Sequence, residues 1–400
     1  MNIIKGLEIS TINCGIKYKN RDDLLLIHFS EPANVAGVFT KSSMAAESVL
    51  WCKNSLKNKS ARALIVNAGN ANAFTGKEGA LTVKKTAEII SKKLKCQKDE
   101  IFISSTGVIG EILNHKLIIN GVEEMIKHFN NDKDSWNKAS KAIMTTDTKQ
   151  KIVSRKCKIE DKTVNITGFA KGSGMIAPNM ATMLGYIFTD ADIPSEILQK
   201  LLSEINEKTF NSITVDSDTS TNDTVLLFAT KKAGNKKIKN INDTNLVSFK
   251  KNLYDVMLNL AKMIVVDGEG AKKLIEVNVS GAKSIKQAKN VALAIANSPL
   301  IKSAFAAADP NWGRIAMAVG KSCFETSPQK ILIKIGDYII AKNGSKIPSY
   351  NEKIVHNYLT KNEVEINVDL GLSKVKINKA TIYGCDLNEE YVKINKDYRT

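Results

Sequence analysis

Two hydrophobic periodicities alternate along the chain, and their order constrains the fold more than any other feature. Apolar residues at helical spacing predict amphipathic helices over 77–94, 116–129, 197–205 and 249–263. Proline is typical of the first turn of a helix. Pro194 therefore marks the start of the helix over 197–205, and Pro299 the start of a further helix that is expected to reach 307. Short apolar or alternating runs predict strands over 24–29, 63–66, 101–104, 164–166, 224–229, 274–279, 331–335 and 364–368. Because helices and strands do not alternate one for one, we predict an α+β layered architecture.

The chain offers no clear linker between domains. Its 400 residues are enough for about two or three domains or for one large packed unit. The best linker candidate, 231–242, is equally compatible with a surface hairpin. The sequence has no run of about 18 apolar residues and its first residues lack an apolar signal core, so we expect neither a membrane span nor a secretory signal.

The charge balance and the cysteines exclude several classes of protein. The formal net charge is +17, but only five of the 58 basic residues are arginines, and no basic-aromatic motif accompanies them. Nucleic-acid recognition relies on arginine forks, so we expect no nucleic-acid partner. The six cysteines are scattered without a CxxC pair, which excludes a zinc ribbon and argues against a disulfide scaffold. A reducing, cytoplasmic location is therefore expected.

Familiar catalytic and cofactor motifs are absent from the sequence. None of the four histidines lies near a serine or cysteine nucleophile signature, so a Ser-His-Asp triad is poorly supported. No His, Cys or Glu spacing is typical of a metal site, and no Walker loop or GxGxxG follows a strand. We therefore predict no metal and no cofactor.

Six segments are dense in glycine, asparagine, aspartate and hydroxyl residues, and most follow an apolar run. They are NAGNANA (67–73), SSTGVIG (104–110), TTDT (145–148), KGSGMIAPNMAT (171–182), DSDTSTND (216–223) and DGEG (267–270). Each alone is typical of ordinary turns. Together they favour a ligand site at the ends of strands, without naming its chemistry.

The segment KGSGMIAPNMATMLGYIFTDA (171–191) resembles the signature of the ornithine acetyltransferase family, the glutamate N-acetyltransferases of cyclic arginine biosynthesis. Further similar stretches run in order along nearly all of the chain. They include IVNAGNANAFTG, SSTGVIGE, ITVDSDTSTNDTVLL, VVDGEGA, ADPNWGRI and the terminal INKDYRT.

The resemblance implies a precursor that cleaves itself between Ala181 and Thr182. Thr182 would then be an N-terminal nucleophile, with its own free α-amine as the base that activates Oγ1. This arrangement needs no histidine. The implied fold is an α+β sandwich of stacked sheet and helix layers, similar to that of DmpA-like enzymes. Residues 1–181 and 182–400 would form two chains of this one folded unit, assembled as a tetramer with two copies of each.

The resemblance also assigns the other site residues. Thr106 and Gly107 would form the oxyanion hole, although a Ser/Thr-Gly turn is the alternative interpretation. The substrate-binding positions would be Thr145, Lys171, Thr182, Glu269, Asn395 and Thr400. Lys171 suits a substrate carboxylate, or else is a solvated loop lysine, and Glu269 suits a substrate ammonium. Asn395 and Thr400 would close the pocket, although Thr400 is equally compatible with a frayed end. The aspartates 216, 218 and 223 and the stretch 309–314 are interpreted as structural support.

The implied reaction transfers acetyl from N2-acetylornithine to Thr182 and then to glutamate. Acetyl-CoA as a second donor stays open, since some family members use it and the sequence carries no CoA-phosphate motif. A DmpA-like self-processing aminopeptidase and a non-catalytic binding protein with the same fold are the alternatives.

Overall fold

The computed structural model describes residues 1–177 and 183–396, which divide into two compact units. The first unit comprises Met1–Asn211 and Asp218–Ile264. The second comprises Ser212–Ser217 and the chain from Val265 onward. Ala181 and Thr182 lie outside the described residues, so the expected division into 1–181 and 182–400 stays a prediction.

The first unit contains one large mixed sheet and the helices that cover it. Its strands are β1 Leu7–Ile12, β2 Leu24–Phe39, β3 Ser60–Asn70, β4 Ile101–Val108, β5 Lys151–Ile159, β6 Lys162–Lys171, β7 Leu184–Thr189 and β8 Thr224–Ala229. Its helices are α1 Glu47–Ser55, α2 Gly76–Leu94, α3 His115–Met125, α4 Lys133–Ala142, α5 Ser195–Asn206 and α6 Leu246–Val266, of which the last two residues belong to the second unit. Short 3₁₀ turns occur at Leu56–Asn58, Lys98–Glu100 and Phe210–Ser212.

The strand order in this sheet is β4-β3-β2-β8-β7-β6-β5, with β1 paired to β2. The pairs β3–β4 and β7–β8 are parallel and the others antiparallel. Strand β2 pairs with β3 from Leu24 to His28 and again at Ala33 and Asn34, with a register shift between His28 and Ala33. On its other edge it pairs with β8 from Asn34 to Phe39.

Side-chain alternation along β2 gives the sheet two buried faces. Leu25 and Ile27 pack in one cluster with Trp136 of α4, while Leu24 and Leu26 pack in another with residues of α2 and α3. Helices thus cover both faces of this sheet, which confirms the predicted α+β layering.

Three stacked rings hold the centre of the sheet in register. The ring centroids of Phe169 and Phe188 lie 5.7 Å apart, and those of Phe188 and Phe228 lie 5.4 Å apart. In this register Lys171 is opposite Leu184, which is opposite Thr224. The last residue of β6 and the first residues of β7 and β8 therefore share one row at the end of the sheet.

The second unit has its own sheet, in the order β12-β11-β10-β13-β9-β14. Its strands are β9 Leu274–Ser280, β10 Leu332–Ile335, β11 Tyr338–Lys342, β12 Ser345–Lys346, β13 Glu363–Asp369 and β14 Ala380–Cys385. Its helices are α7 Ile285–Ala296, α8 Pro299–Ala306, α9 Trp312–Ser322, α10 Glu352–Leu359 and α11 Glu389–Lys396, with a 3₁₀ turn at Pro328–Lys330. Residues of α7, α8 and α9 pack with β9, β10 and β13 in a single apolar core.

The periodicity identified the elements well but placed several ends wrongly. The helix predicted over 77–94 and the strand over 224–229 are confirmed, while the helix predicted to reach 129 ends at Met125. The segment 231–242 forms no hairpin, and it does not link the two units because it lies inside the first unit. The N–H of Ala233 donates to the carbonyl of Asp190 at 2.7 Å, and Ile238 is buried.

Candidate active site

Lys171 is a buried cation at the end of β6. Its side chain is 4% exposed, and Nζ donates to Oγ1 of Thr106 at 3.3 Å. The interpretation of Lys171 as a solvated loop lysine is therefore wrong. Lys171 is the last residue of β6, and its backbone pairs with Leu184 of β7. It therefore lies in the row formed by the end of β6 and the starts of β7 and β8. The contact brings two of the predicted site residues together.

Asp147 is the carboxylate that balances this buried charge. Oδ1 accepts hydrogen bonds from Nζ of Lys151 and from the N–H of Gly172, both at 2.7 Å. Oδ2 accepts the N–H of Thr145 at 3.0 Å, so the same side chain fixes a predicted substrate-binding residue. Lys151 is 1% exposed. One aspartate thus joins the loop after α4, β5 and the end of β6.

Electrostatics in this cluster favour an ionised Asp147. Burial would raise the pKa of its carboxyl, but the positive charges of Lys171 and Lys151 and the N–H of Gly172 outweigh burial and lower the pKa to about 2. Two buried ammonium groups therefore lie close enough to one ionised carboxylate to stabilise its charge. Sequence reasoning missed Asp147, although it lies within the TTDT segment.

Thr106 and Gly107 lie inside β4, not in a turn after it. The alternative interpretation as a Ser/Thr-Gly turn is therefore wrong. Gly107 has a φ of +133°, and a Cβ there would lie 2.2 Å from the carbonyl carbon of Gly69. Gly69 also has a positive φ, +99°. Only glycine tolerates this backbone conformation with a neighbouring backbone so close. The irregular end of the β3–β4 pairing therefore requires glycine at position 107.

The segment before β8 connects β4 to the start of β7. Nδ2 of Asn222 donates to the carbonyls of Ala71 and Ser105, at 2.6 and 2.9 Å. Oδ1 of Asp223 accepts the N–H of Met183 at 3.0 Å. The residue before Thr106 and the residue after Thr182 are therefore held by neighbouring side chains. Of these two side chains, sequence reasoning interpreted Asp223 as structural support and did not single out Asn222.

In the second unit, Glu269 and Asn395 are in direct contact. Nδ2 of Asn395, on α11, donates to Oε2 of Glu269 at 2.7 Å, and Glu269 is 8% exposed. The segment 267–270 follows helix α6. Nδ2 of Asn388 also donates to the carbonyl of Gly270 at 2.7 Å. Helix α11 is thereby fastened to this loop.

Three predicted site residues, Ala181, Thr182 and Thr400, lie outside the described residues. Within 1–177 and 183–396, no group of three or more His, Cys, Asp or Glu side chains is arranged to hold a metal ion. In the same ranges, no helix combines the length and apolarity needed to cross a bilayer. All six cysteines are free thiols.

Comparison with known proteins gives similarity along nearly the full chain. A model of the ArgJ family matches residues 8–400. The arginine biosynthesis bifunctional protein ArgJ of Mesorhizobium japonicum is 46% identical over 403 residues, which cover 100% of this chain and 96% of that protein. The crystal structure of the protein of the same name from Bacillus halodurans is 40% identical with a TM-score of 0.49, covering 52% of this chain and 95% of that one. Ornithine acetyltransferase of Mycobacterium tuberculosis, solved in complex with ornithine, is 29% identical with a TM-score of 0.38, covering 44% and 92%.

Proposed function

The chain belongs to the ArgJ family, and on that premise we propose that it is a glutamate N-acetyltransferase of arginine biosynthesis. It takes the acetyl group from N2-acetylornithine, holds it as an ester on Thr182, and transfers it to glutamate. The products are ornithine and N-acetylglutamate. The observation that carries the proposal is the buried contact of Lys171 with Thr106, backed by Asp147.

The first half-reaction forms the acetyl-enzyme. The α-amine of Thr182 takes the proton from Oγ1 as the oxygen attacks the amide carbonyl carbon of acetylornithine. An α-amine with a pKa of about 7.7–8.0 is partly neutral near pH 7 and can act as this base. The C–N bond then breaks, the proton passes to the departing amine, and ornithine leaves. In the second half-reaction the amine of glutamate attacks the ester and regenerates the Thr182 hydroxyl.

Thr106 and Gly107 stabilise the negative oxygen of the tetrahedral intermediates in this scheme. The hydroxyl of Thr106 and the N–H of Gly107 are the proposed donors. A buried ammonium 3.3 Å from the Thr106 hydroxyl supports this role, because it favours negative charge beside that oxygen. The positive φ of Gly107 also supports this role, because the backbone there departs from the regular β conformation in which an N–H points to the neighbouring strand.

In this proposal two charged side chains, Lys171 and Glu269, recognise the substrates. Lys171 would bind the α-carboxylate that acetylornithine and glutamate share, with Thr145 and Thr182 as further contacts. Glu269 would bind the ammonium of ornithine, with Asn395 beside it and Thr400 closing the pocket. The 2.7 Å bond from Asn395 to Glu269 supports the pairing of those two residues in one role.

The mature enzyme in this proposal consists of chains 1–181 and 182–400, assembled as two of each in the cytoplasm, with no metal or other cofactor. Free thiols at all six cysteines suit a reducing compartment. Light scattering of the purified protein, followed by a denaturing gel, tests both the cleavage and the stoichiometry.

The decisive assay offers purified protein glutamate with acetylornithine, and separately glutamate with acetyl-CoA. N-acetylglutamate formed from acetylornithine supports the proposal, and formation from acetyl-CoA adds the second donor. Hydrolysis of amino-acid amides without acetyl transfer would instead favour a DmpA-like aminopeptidase. An uncleaved, inactive chain that binds ornithine would favour a binding protein.

A further inference from the structure

Asp223 is a fully buried carboxyl group beside the start of β7. Its exposed fraction is 0%, and it immediately precedes β8, whose first residue Thr224 pairs with Leu184. The carbonyl of Met183 accepts the N–H of Thr224 at 3.2 Å. Asp223 therefore sits in the same row as the residue that follows Thr182.

The two oxygens of this carboxyl group have different surroundings. Oδ1 accepts the N–H of Met183 at 3.0 Å. Oδ2 is buried and has no hydrogen-bond partner within residues 1–177 and 183–396. The backbone around the group is fixed, because the carbonyl of Asp223 accepts the N–H of Thr40 at 3.0 Å. A buried polar oxygen without a partner is costly, so its retention here points to a role at the site.

The hydrogen bond of Asp223 is made to the residue that directly follows the proposed nucleophile. Met183 comes after Thr182 in the chain, and Oδ1 of Asp223 lies 3.0 Å from the Met183 nitrogen. The carboxyl group therefore holds the backbone N–H of the residue next to the nucleophile.

The charge state of this group matters for the amine. Burial raises the pKa of Asp223 well above its ordinary value, while the N–H of Met183 and the charge of Lys171 act in the opposite direction without overcoming burial. Lys171, the last residue of β6, supplies this opposing positive charge. A carboxylate here would stabilise the Thr182 ammonium and remove the proposed base, whereas a neutral acid leaves the amine free to deprotonate.

Resting on the proposed function, we propose that Asp223 positions the Thr182 nucleophile by holding the Met183 N–H, and that it does so as a neutral carboxylic acid. The proton makes Oδ2 a hydrogen-bond donor. Asp223 touches no substrate in this scheme and is a positioning residue. The bond from Met183 to Asp223 also serves the self-cleavage step. In that step Oγ1 of Thr182 attacks the carbonyl carbon of Ala181, the C–N bond breaks as the hydroxyl proton passes to the new α-amine, and water hydrolyses the resulting ester to free the Ala181 carboxylate and the Thr182 hydroxyl.

Two variants test this role. Asp223→Asn keeps an oxygen for Met183 and an N–H₂ donor in place of the acid proton, so it should cleave and retain kcat within about threefold of wild type. Asp223→Ala removes both groups and should lower kcat by about 100-fold, with KM changed much less, because small misplacements of a nucleophile cost that much. The acid limb of the kcat/KM pH profile, which reports the Thr182 amine, should coincide in wild type and Asp223→Asn.

Asp190→Asn is the matched control. Asp190 is another buried aspartate, 1% exposed, just beyond the opposite end of β7, where it accepts the N–H and Nδ2 of Asn165 at 2.8 and 2.7 Å. Its replacement should lower the melting temperature and leave kcat and the pH profile of the cleaved protein unchanged.

The opposite outcomes would overturn the inference. If Asp223 acted as an ionised group, Asp223→Asn would lose activity as severely as Asp223→Ala, or its acid limb would move to lower pH. If Asp223→Ala folded, cleaved and kept wild-type kcat, the residue would have no positioning role. Absence of acetyl transfer by the wild-type protein would contradict the proposed function itself, which separates the two failures.

Discussion

At the scale of single residues, the buried charges distinguish the site from the rest of a basic protein. The chain carries a formal charge of +17, yet the lysines buried among the described residues are Lys151, Lys171 and Lys302. Lys302, in the second unit, donates to the carbonyl of Val215 and lies 3.6 Å from the thiol of Cys385. The other two share Asp147. A buried ammonium group is stable only where a partner compensates its charge. Substitutions at these lysines or at their partners are therefore expected to be more damaging than substitutions at exposed lysines.

Lys171→Met tests substrate recognition. Removing the ammonium should lower kcat/KM for both acetylornithine and glutamate by about ten- to a hundredfold, because a charge-assisted hydrogen bond contributes about 1.5–3 kcal/mol. Steady-state kinetics with each substrate varied in turn measure the effect. The exposed Lys149 provides the control, and Lys149→Met should behave as wild type. Wild-type kinetics in Lys171→Met would assign the carboxylate to another partner.

Asp147→Asn tests the balance of charge. It leaves Lys151 and Lys171 buried without their carboxylate, and should lower the free energy of unfolding at pH 7 by about 3–5 kcal/mol. The folded-state pKa of Asp147 is lowered from 3.8 to about 2, so its contribution is present above pH 3.8 and is lost as pH falls through about 2. The two proteins should therefore converge in stability over that window.

Asp134→Asn is the comparison for this experiment. Asp134 pairs with Lys138 at 2.8 Å, but both side chains are more than half exposed, at 68% and 59%. Exposed pairs contribute little, so its unfolding curve should match wild type. An equal effect of both variants on stability would show that the Asp147 cluster is not special.

At the scale of elements, the site is made by strand ends, and this is where sequence reasoning was weakest. The cores of β3, β4 and β6 were predicted, but each strand runs further than predicted, to Asn70, Val108 and Lys171. Glycine and asparagine are depleted in strands, so the local pattern ends each predicted strand before them. Pairing with a neighbouring strand extends it. Burial of Asp147 and Asp223 escaped prediction for a related reason, since a carboxylate in a polar segment looks the same whether solvated or enclosed.

Gly107→Ala tests the strand-end geometry. A methyl group would meet the carbonyl carbon of Gly69 at 2.2 Å in addition to the strain of a positive φ, so the variant should lose at least about 100-fold in acetyl transfer and unfold at lower temperature. Gly110→Ala is the control, because Gly110 has a φ of +84° and nothing within 4 Å of its added Cβ. It should show only the strain of about 1 kcal/mol. Equal losses in both variants would contradict a special role for Gly107.

At the scale of the whole molecule, each unit contributes its own group of predicted residues. In the first unit, Lys171 contacts Thr106, and Asp147 accepts the N–H of Thr145. The second holds Glu269 against Asn395. The layered α+β architecture was predictable because hydrophobic period alone identifies helices and strands. The pairing order of the strands was not, since it depends on contacts between residues far apart in the chain.

The central claim is that Thr182 carries the acetyl group, and intact-mass analysis of a trapped intermediate tests it most directly. Purified protein is incubated with N2-acetylornithine in the absence of glutamate, quenched in acid and measured. We predict that the 182–400 fragment gains the mass of one acetyl group, that peptide mapping places it on Thr182, and that added glutamate removes it. Thr182→Ala should remain a single uncut chain without the adduct. Release of ornithine with no acetylated fragment, or acetyl on any other residue, would contradict the account.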